Sequence, residues 1–167
     1  MNKILLGILL CFSFTACDYY VINAHENHVG VIGEKEGISN DDFSVCFEEK
    51  IFPYYYGNNV AKYKSGKDSL RLYFDQNFDN KDYTGQSGYI TIRFIINCKG
   101  ETGRFEILQT GTDFKTKEFE PILVDQLFNL VQNLERWQAI KFQGDSFDSF
   151  FHLTFKIENG QIVEILP

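Results

Sequence analysis

The chain has 167 residues, 44% hydrophobic and 23% charged, with 17 Phe, 9 Tyr and only 3 Pro, the composition of one ordinary globular domain and not of a disordered, fibrous or Pro-rich segment. Its net charge is -7 and its 16 basic residues are scattered, so no basic groove is present to neutralise phosphates and nucleic acid is not expected as a partner. A domain of this size buries about 70% of its unfolded surface, enough for a core without a metal.

The first residues carry a basic start at Lys3, an apolar run from Ile4 to Phe14, then Thr15, Ala16 and Cys17. The run is too short to span a bilayer, and small residues precede the cysteine, so 1–16 is expected to be a cleaved secretory signal. The form FTAC resembles the lipobox of bacterial lipoproteins, which implies acylation of Cys17; a simple secreted or buried cysteine is the alternative. Loss of Lys3 leaves the remainder at -8, so the acyl chains would anchor it and not its charge. The expected location is a membrane-anchored lipoprotein of the cell envelope, at the outer membrane facing the periplasm.

Residues 17–42 show no sustained period and read as a lipidated N-terminus and tether, with 43–167 as a single domain. Gly30 and Gly33 lack the Lys-Ser/Thr ending and following helix of a phosphate loop. Phe43, Val45 and Phe47 alternate, which predicts a short half-buried strand. FPYYYG, from Phe52, predicts an irregular packed connection whose tyrosines serve the core or a binding surface. Leu70, Tyr73, Phe74 and Phe78 fall at helical spacing, predicting a short helix from near Ser65 or Gly66. Asp75, Asp79 and Asp82 lack the register of a calcium loop and read as a solvated acidic face.

Gly88 to Ile107, GYITIRFIINCKGETGRFEI, predicts a hairpin. Ile90, Ile92, Phe94 and Ile96 share one face, with Thr91, Arg93 and Asn97 on the other, and the turn uses Asn97 and Gly100. Phe119, Ile122, Leu123, Leu127, Leu130, Val131 and Leu134 predict a long helix over about 117–136, with Pro121 in its first turn. FQGDSFDS reads as a polar loop. Phe151, Leu153, Phe155 and Ile157 then alternate as a strand, and Asn159-Gly160 turns Gln161 to Leu166 back as a last strand. The fold class is α+β: a small antiparallel sheet covered on one face by a long helix, with an added C-terminal hairpin strand.

The order helix, strand, strand, helix, strand over about 63–157 resembles the C-terminal domain of TonB. The likeness rests on KSGKDSLRLYF, on the hairpin sequence, on LERWQAIKFQG and on FFHLTFKI. Ala139 stands where that family usually has proline, and the family's Pro-rich spacer and uncleaved membrane anchor are not read here. The resemblance implies peptide binding and not energy transduction, because an acyl anchor cannot couple to an inner-membrane motor. In the family the last strand offers its edge to an extended peptide, which places the expected edge at Phe150, Phe151, His152, Leu153, Thr154 and Phe155. Gln161 to Leu166 could fold onto that same edge.

Cys46 and Cys98 are either a bridge, worth about 4 kcal/mol for a loop of roughly 50 residues, or two buried thiols. His25 and His28 lack a third metal ligand, and His152 falls on a strand's polar face. No serine, cysteine or carboxylate constellation points to catalysis. The expected function is therefore a non-catalytic module that binds an envelope protein or peptide, without metal or cofactor. An envelope inhibitor, immunity or structural lipoprotein is the alternative, with a hydrolase behind both.

Overall fold

The computed structural model describes residue 32 and residues 42–56, 59–79 and 83–166. The expected signal, Cys17, nearly all of the tether with His25 and His28, and Asp82 lie outside them. In chain order the elements are β1 (Phe52–Pro53), β2 (Tyr55–Tyr56), β3 (Asn59–Val60), β4 (Lys62–Tyr63), α1 (Gly66–Asn77), β5 (Gly88–Ile96), β6 (Thr102–Thr110), α2 (Pro121–Gln132), β7 (Trp137–Gln138), β8 (Ile140–Phe142), β9 (Asp145–Phe147), β10 (Ser149–Glu158) and β11 (Gln161–Leu166). The architecture is α+β.

β10 occupies the middle of the five-stranded sheet. Its whole length pairs antiparallel with β5, from Ser149 opposite Ile96 to Ile157 opposite Gly88, and β5 pairs with β6 beyond it. Along its other side β10 pairs antiparallel with β11 and, at Ser149 and Phe150, parallel with β1. The sheet is thus not wholly antiparallel. β11 returns through Asn159 and Gly160, both at positive φ, the twist that a two-residue hairpin turn requires. Gly160 also lies against Tyr83 so closely that a Cβ would collide with it.

Period two puts Ile90, Ile92, Phe94 and Ile96 of β5 on one face with Phe151, Leu153, Phe155 and Ile157 of β10, all buried. Both helices cover this face. Phe74 of α1 meets Phe155 at 4.8 Å, and Phe128 of α2 meets Phe105 at 5.5 Å. Tyr73 Oη donates to the Leu130 carbonyl at 3.2 Å, tying the helices together.

Instead of one long helix over 117–136, α2 has 12 residues. Pro121 opens it, and Glu120 before it is extended, as a residue preceding proline prefers. Beyond Gln132, Asn133 forms the C-cap and Arg136 takes a positive φ, so Phe119 and Leu134 reach the core from outside the helix. FQGDSFDS is not a loop: β8 and β9 pair through Gln143 and Gly144, again both at positive φ.

Phe43 to Phe47 alternates like a strand but forms none. Two of its backbone groups, the Phe47 N–H and the Ser44 carbonyl, are taken by the side chains of Asp148 and Asn97. Asp148, fully buried, accepts from Phe47 N at 2.6 Å and Cys98 N at 2.7 Å. Asn97 Nδ2 donates to the Ser44 carbonyl at 3.0 Å, while its Oδ1 accepts from Lys99 N and Glu101 N. Cys46 and Cys98 are joined in a disulfide. These bonds and the disulfide fix the segment against the hairpin without a strand ladder.

Arg104, placed on the bulge where β6 shifts register against β5, binds Glu48 with both Nη atoms, at 2.6 and 2.7 Å. That hydrogen bonding holds the Glu48 carboxyl below its ordinary value; partial burial opposes the shift, and the charge of Arg104 adds to it. A depressed folded-state value means the pair's stabilisation is present above the unfolded carboxyl's value and is lost as pH falls through the folded one. Glu48 is 55% exposed, so solvent screening keeps the effect below about 1 kcal/mol. Glu48→Gln is expected to flatten the acid side of the stability-against-pH curve by that amount, measured by urea unfolding at stepped pH; an unchanged slope contradicts the assignment.

Candidate functional site

The expected edge residues do not form one continuous open edge. Phe150 is opposite Pro53 of β1, while Thr154 and Phe155 are opposite Leu166 and Ile165 of β11. A partner strand cannot ladder along all six positions. Between the two flanking strands lies Phe151 to Leu153, and a cleft opens on each face of the sheet there.

The first cleft, about 630 Å³, lies on the helix face. Trp137, Phe151 and Leu153 contribute its apolar surface, with Tyr54, Ala61 and Tyr63 on one side and Ile165 of β11 on another. The short β4–β7 pair, Tyr63 opposite Trp137, fixes the indole, which packs on Phe94 at 5.2 Å and Phe151 at 4.9 Å. The first turn of α1, with Gly66, Lys67 and Asp68, forms part of the rim. Arg71 of the same helix donates to the Val163 carbonyl at 3.1 Å and to the Ile162 carbonyl at 3.4 Å, holding β11 beside the cleft.

The second cleft, about 520 Å³, is lined by Ile51, Pro53, Tyr54, Tyr55, Arg93, Phe150, Phe151 and His152. Tyr54 borders both clefts and stands edge-on to Tyr55, Phe151 and His152. His152 is half-buried among these rings and not a fully solvated imidazole. Arg93 reverses an expectation too. Although it alternates onto the polar face, it is 4% exposed, because Nη1 donates to Glu106 Oε2 at 2.5 Å. Nη2 is buried with no acceptor among the described residues. An unsatisfied donor of this kind is costly to bury, which favours an acceptor from outside.

Cys46, Cys98 and Asp148 are the one grouping of metal-type donors among the described residues. Both sulfurs are spent on each other and both Asp148 oxygens accept backbone N–H groups, so this trio is a structural clamp. Asp75 is bound to Arg71 at 3.0 Å as an ordinary i, i+4 pair. Among the described residues no helix is long and apolar enough to cross a membrane.

Compared with protein-family models, curated proteins and solved structures, the chain matches none.

Lys62, Lys67, Arg71, Glu164 and the hairpin-borne Arg93 carry no sequence signal of a site; only folding assembles them. Two signals were present in the sequence: the tyrosine cluster, and a single tryptophan in a chain rich in phenylalanine.

Proposed function

We propose that the chain is a lipid-anchored, non-catalytic protein of the bacterial cell envelope whose TonB C-terminal-like domain holds a peptide segment of another envelope protein. Acylated Cys17 tethers it, at the outer membrane facing the periplasm, and the tether lets the domain search for its partner. The observation that supports this reading is the pair of aromatic-lined clefts meeting at Phe151 to Leu153. Clefts of this size accept several side chains, and rings with polar tips bind peptides through apolar area and hydrogen bonds together. Because β1 and β11 pair with β10 on either side of this stretch, recognition runs mainly through side chains in the clefts and less through a main-chain ladder.

A photo-crosslinking residue placed at Tyr55, 59% exposed at the rim of the second cleft, is expected to trap one peptide segment of an envelope protein in intact cells. The same residue at Phe114, 76% exposed and stacked on Tyr89, reports non-specific neighbours. Equal crosslinking patterns from the two positions would overturn the reading. Cys17→Ser is expected to move the protein out of the membrane fraction, and its continued retention there would remove the acyl anchor.

A further inference from the structure

Asp148, between β9 and β10, is fully buried, and its two oxygens accept from Phe47 N and Cys98 N. Acceptance at both oxygens suits the ionised form, which has no proton to donate. Buried charges are ordinarily paired with a cation or bound to a metal. Among the described residues, none of the ion pairs involves Asp148. Its two backbone donors orient the carboxylate and leave its charge without a counter-charge.

One ligand atom each from Cys46, Cys98 and Asp148 lies within 4.8 Å of the others. The disulfide is not all that keeps them together. Asn97 holds the Ser44 carbonyl, Arg104 holds Glu48, and Asp148 holds the N–H groups of Phe47 and Cys98. These bonds flank Cys46 on both sides and fix Cys98, so opening the bridge leaves two thiols still beside a buried carboxylate. Tetrahedral zinc, with Zn–S near 2.3 Å and Zn–O near 2.1 Å, sets its ligand atoms about 3.6–3.8 Å apart. With the two Cα atoms 6.0 Å apart, rotation about the Cα–Cβ bonds brings the sulfurs to that spacing. Both cysteines are only half-buried, which gives a reductant and a metal ion access.

We infer that reduction converts this clamp into a zinc site made by Cys46, Cys98 and Asp148. The disulfide takes two electrons and two protons from a dithiol, which is itself oxidised to a disulfide. Zn2+ then displaces the two thiol protons and binds both sulfurs, one Asp148 oxygen and a water. Two thiolates select zinc over magnesium or calcium, which take oxygen ligands. The Phe47 and Cys98 N–H groups stay on Asp148 and hold it toward the metal. The ion supplies the positive charge that Asp148 lacks, and it keeps residues 44–48 on the hairpin end when the covalent bridge is open.

The full chain is reduced with a phosphine, freed of the phosphine without air, and dialysed against micromolar zinc, beside the oxidised chain and the Cys46→Ser/Cys98→Ser variant. The reduced wild type is expected to retain a single zinc ion and to regain part of the urea midpoint lost on reduction, while the other two bind none. Cobalt in place of zinc should give a thiolate-to-metal charge-transfer band with the strong visible bands of a tetrahedral ion. Loss of even an outer-shell partner weakens metal binding about 10–100-fold, so loss of a ligand in Asp148→Asn should weaken zinc at least about tenfold. No zinc on the reduced wild type, or the weak visible spectrum of octahedral cobalt, overturns the site. Equal binding by the double cysteine variant places the metal elsewhere and also overturns it. Equal affinity in a folded Asp148→Asn removes Asp148 from the ligand set and overturns the three-residue assignment. The cobalt spectrum and the double cysteine variant decide the case if Asp148→Asn does not fold.

Discussion

Phe94→Ala is expected to destabilise the domain by about 3–5 kcal/mol, the range for removing a large aromatic ring from a close-packed core. Phe94 is fully buried at the centre of β5, with ring contacts to Phe105 at 5.5 Å, Trp137 at 5.2 Å and Phe151 at 5.7 Å. Those neighbours belong to three separate strands, β6, β7 and β10, so no single shift closes the cavity. Against a typical total of about 5–15 kcal/mol the loss is a large share. Urea unfolding followed by Trp137 emission measures it, with Leu72→Ala, at a 55% exposed position of α1, as a control expected to change stability by less than about 0.5 kcal/mol. A loss below about 1 kcal/mol for Phe94→Ala would mean that this ring is not the centre of the core. Because Trp137 and Phe151 lean on Phe94, the same variant should also loosen the floor of the first cleft.

Removing the Cys46–Cys98 disulfide should cost about 4 kcal/mol. The bridge spans 52 residues, and closing a loop of that length restricts the unfolded chain by roughly this amount in the entropy model. Around the bridge, Asp148, Asn97 and the Arg104–Glu48 pair still hold residues 44–48 against the hairpin end. The double variant Cys46→Ser/Cys98→Ser is therefore expected to keep its fold at low temperature, with a clearly lower urea midpoint. Wild-type protein in excess reductant should match it. Hydrogen exchange should locate the loosening at the amides of Phe47 and Cys98, whose N–H groups donate to Asp148. An unchanged midpoint in both the variant and the reduced protein would show that the side-chain bonds alone hold the segment.

The elements legible in the sequence are those whose information is local. The alternation of β5 and β10, the Asn159-Gly160 turn and the apolar spacing of α1 each specify a conformation within about ten residues, and the structure forms all of them. The misreadings share a cause as well. The alternation at Phe43, Val45 and Phe47 satisfies the strand pattern, but a strand also needs a neighbour with free N–H and C=O groups, and here Asp148, Asn97 and Cys98 offer side chains instead. The apolar stripe around Pro121 runs past both ends of α2 because Phe119 and Leu134 are core residues without being helical. Gln143-Gly144 supplies the two positive φ values of a hairpin turn, yet the short flanking runs around Asp145 and Ser146 look polar.

The candidate site divides along the same line. The strand, turn and helix patterns determined by themselves the α+β class, and composition and the FTAC motif set the expectations of a single domain and an envelope address, since each depends on residues adjacent in the chain. Only the tertiary structure decided that β1 pairs with β10 on the side that β11 takes and leaves Phe151 to Leu153 between them, that Trp137 and the start of α1 border one cleft, and that Arg93 lies buried beside the other. These are contacts between residues some 40–110 positions apart. No local periodicity encodes them, because they are set by how the helices and the two flanking strands pack onto β10 once the apolar face is removed from water.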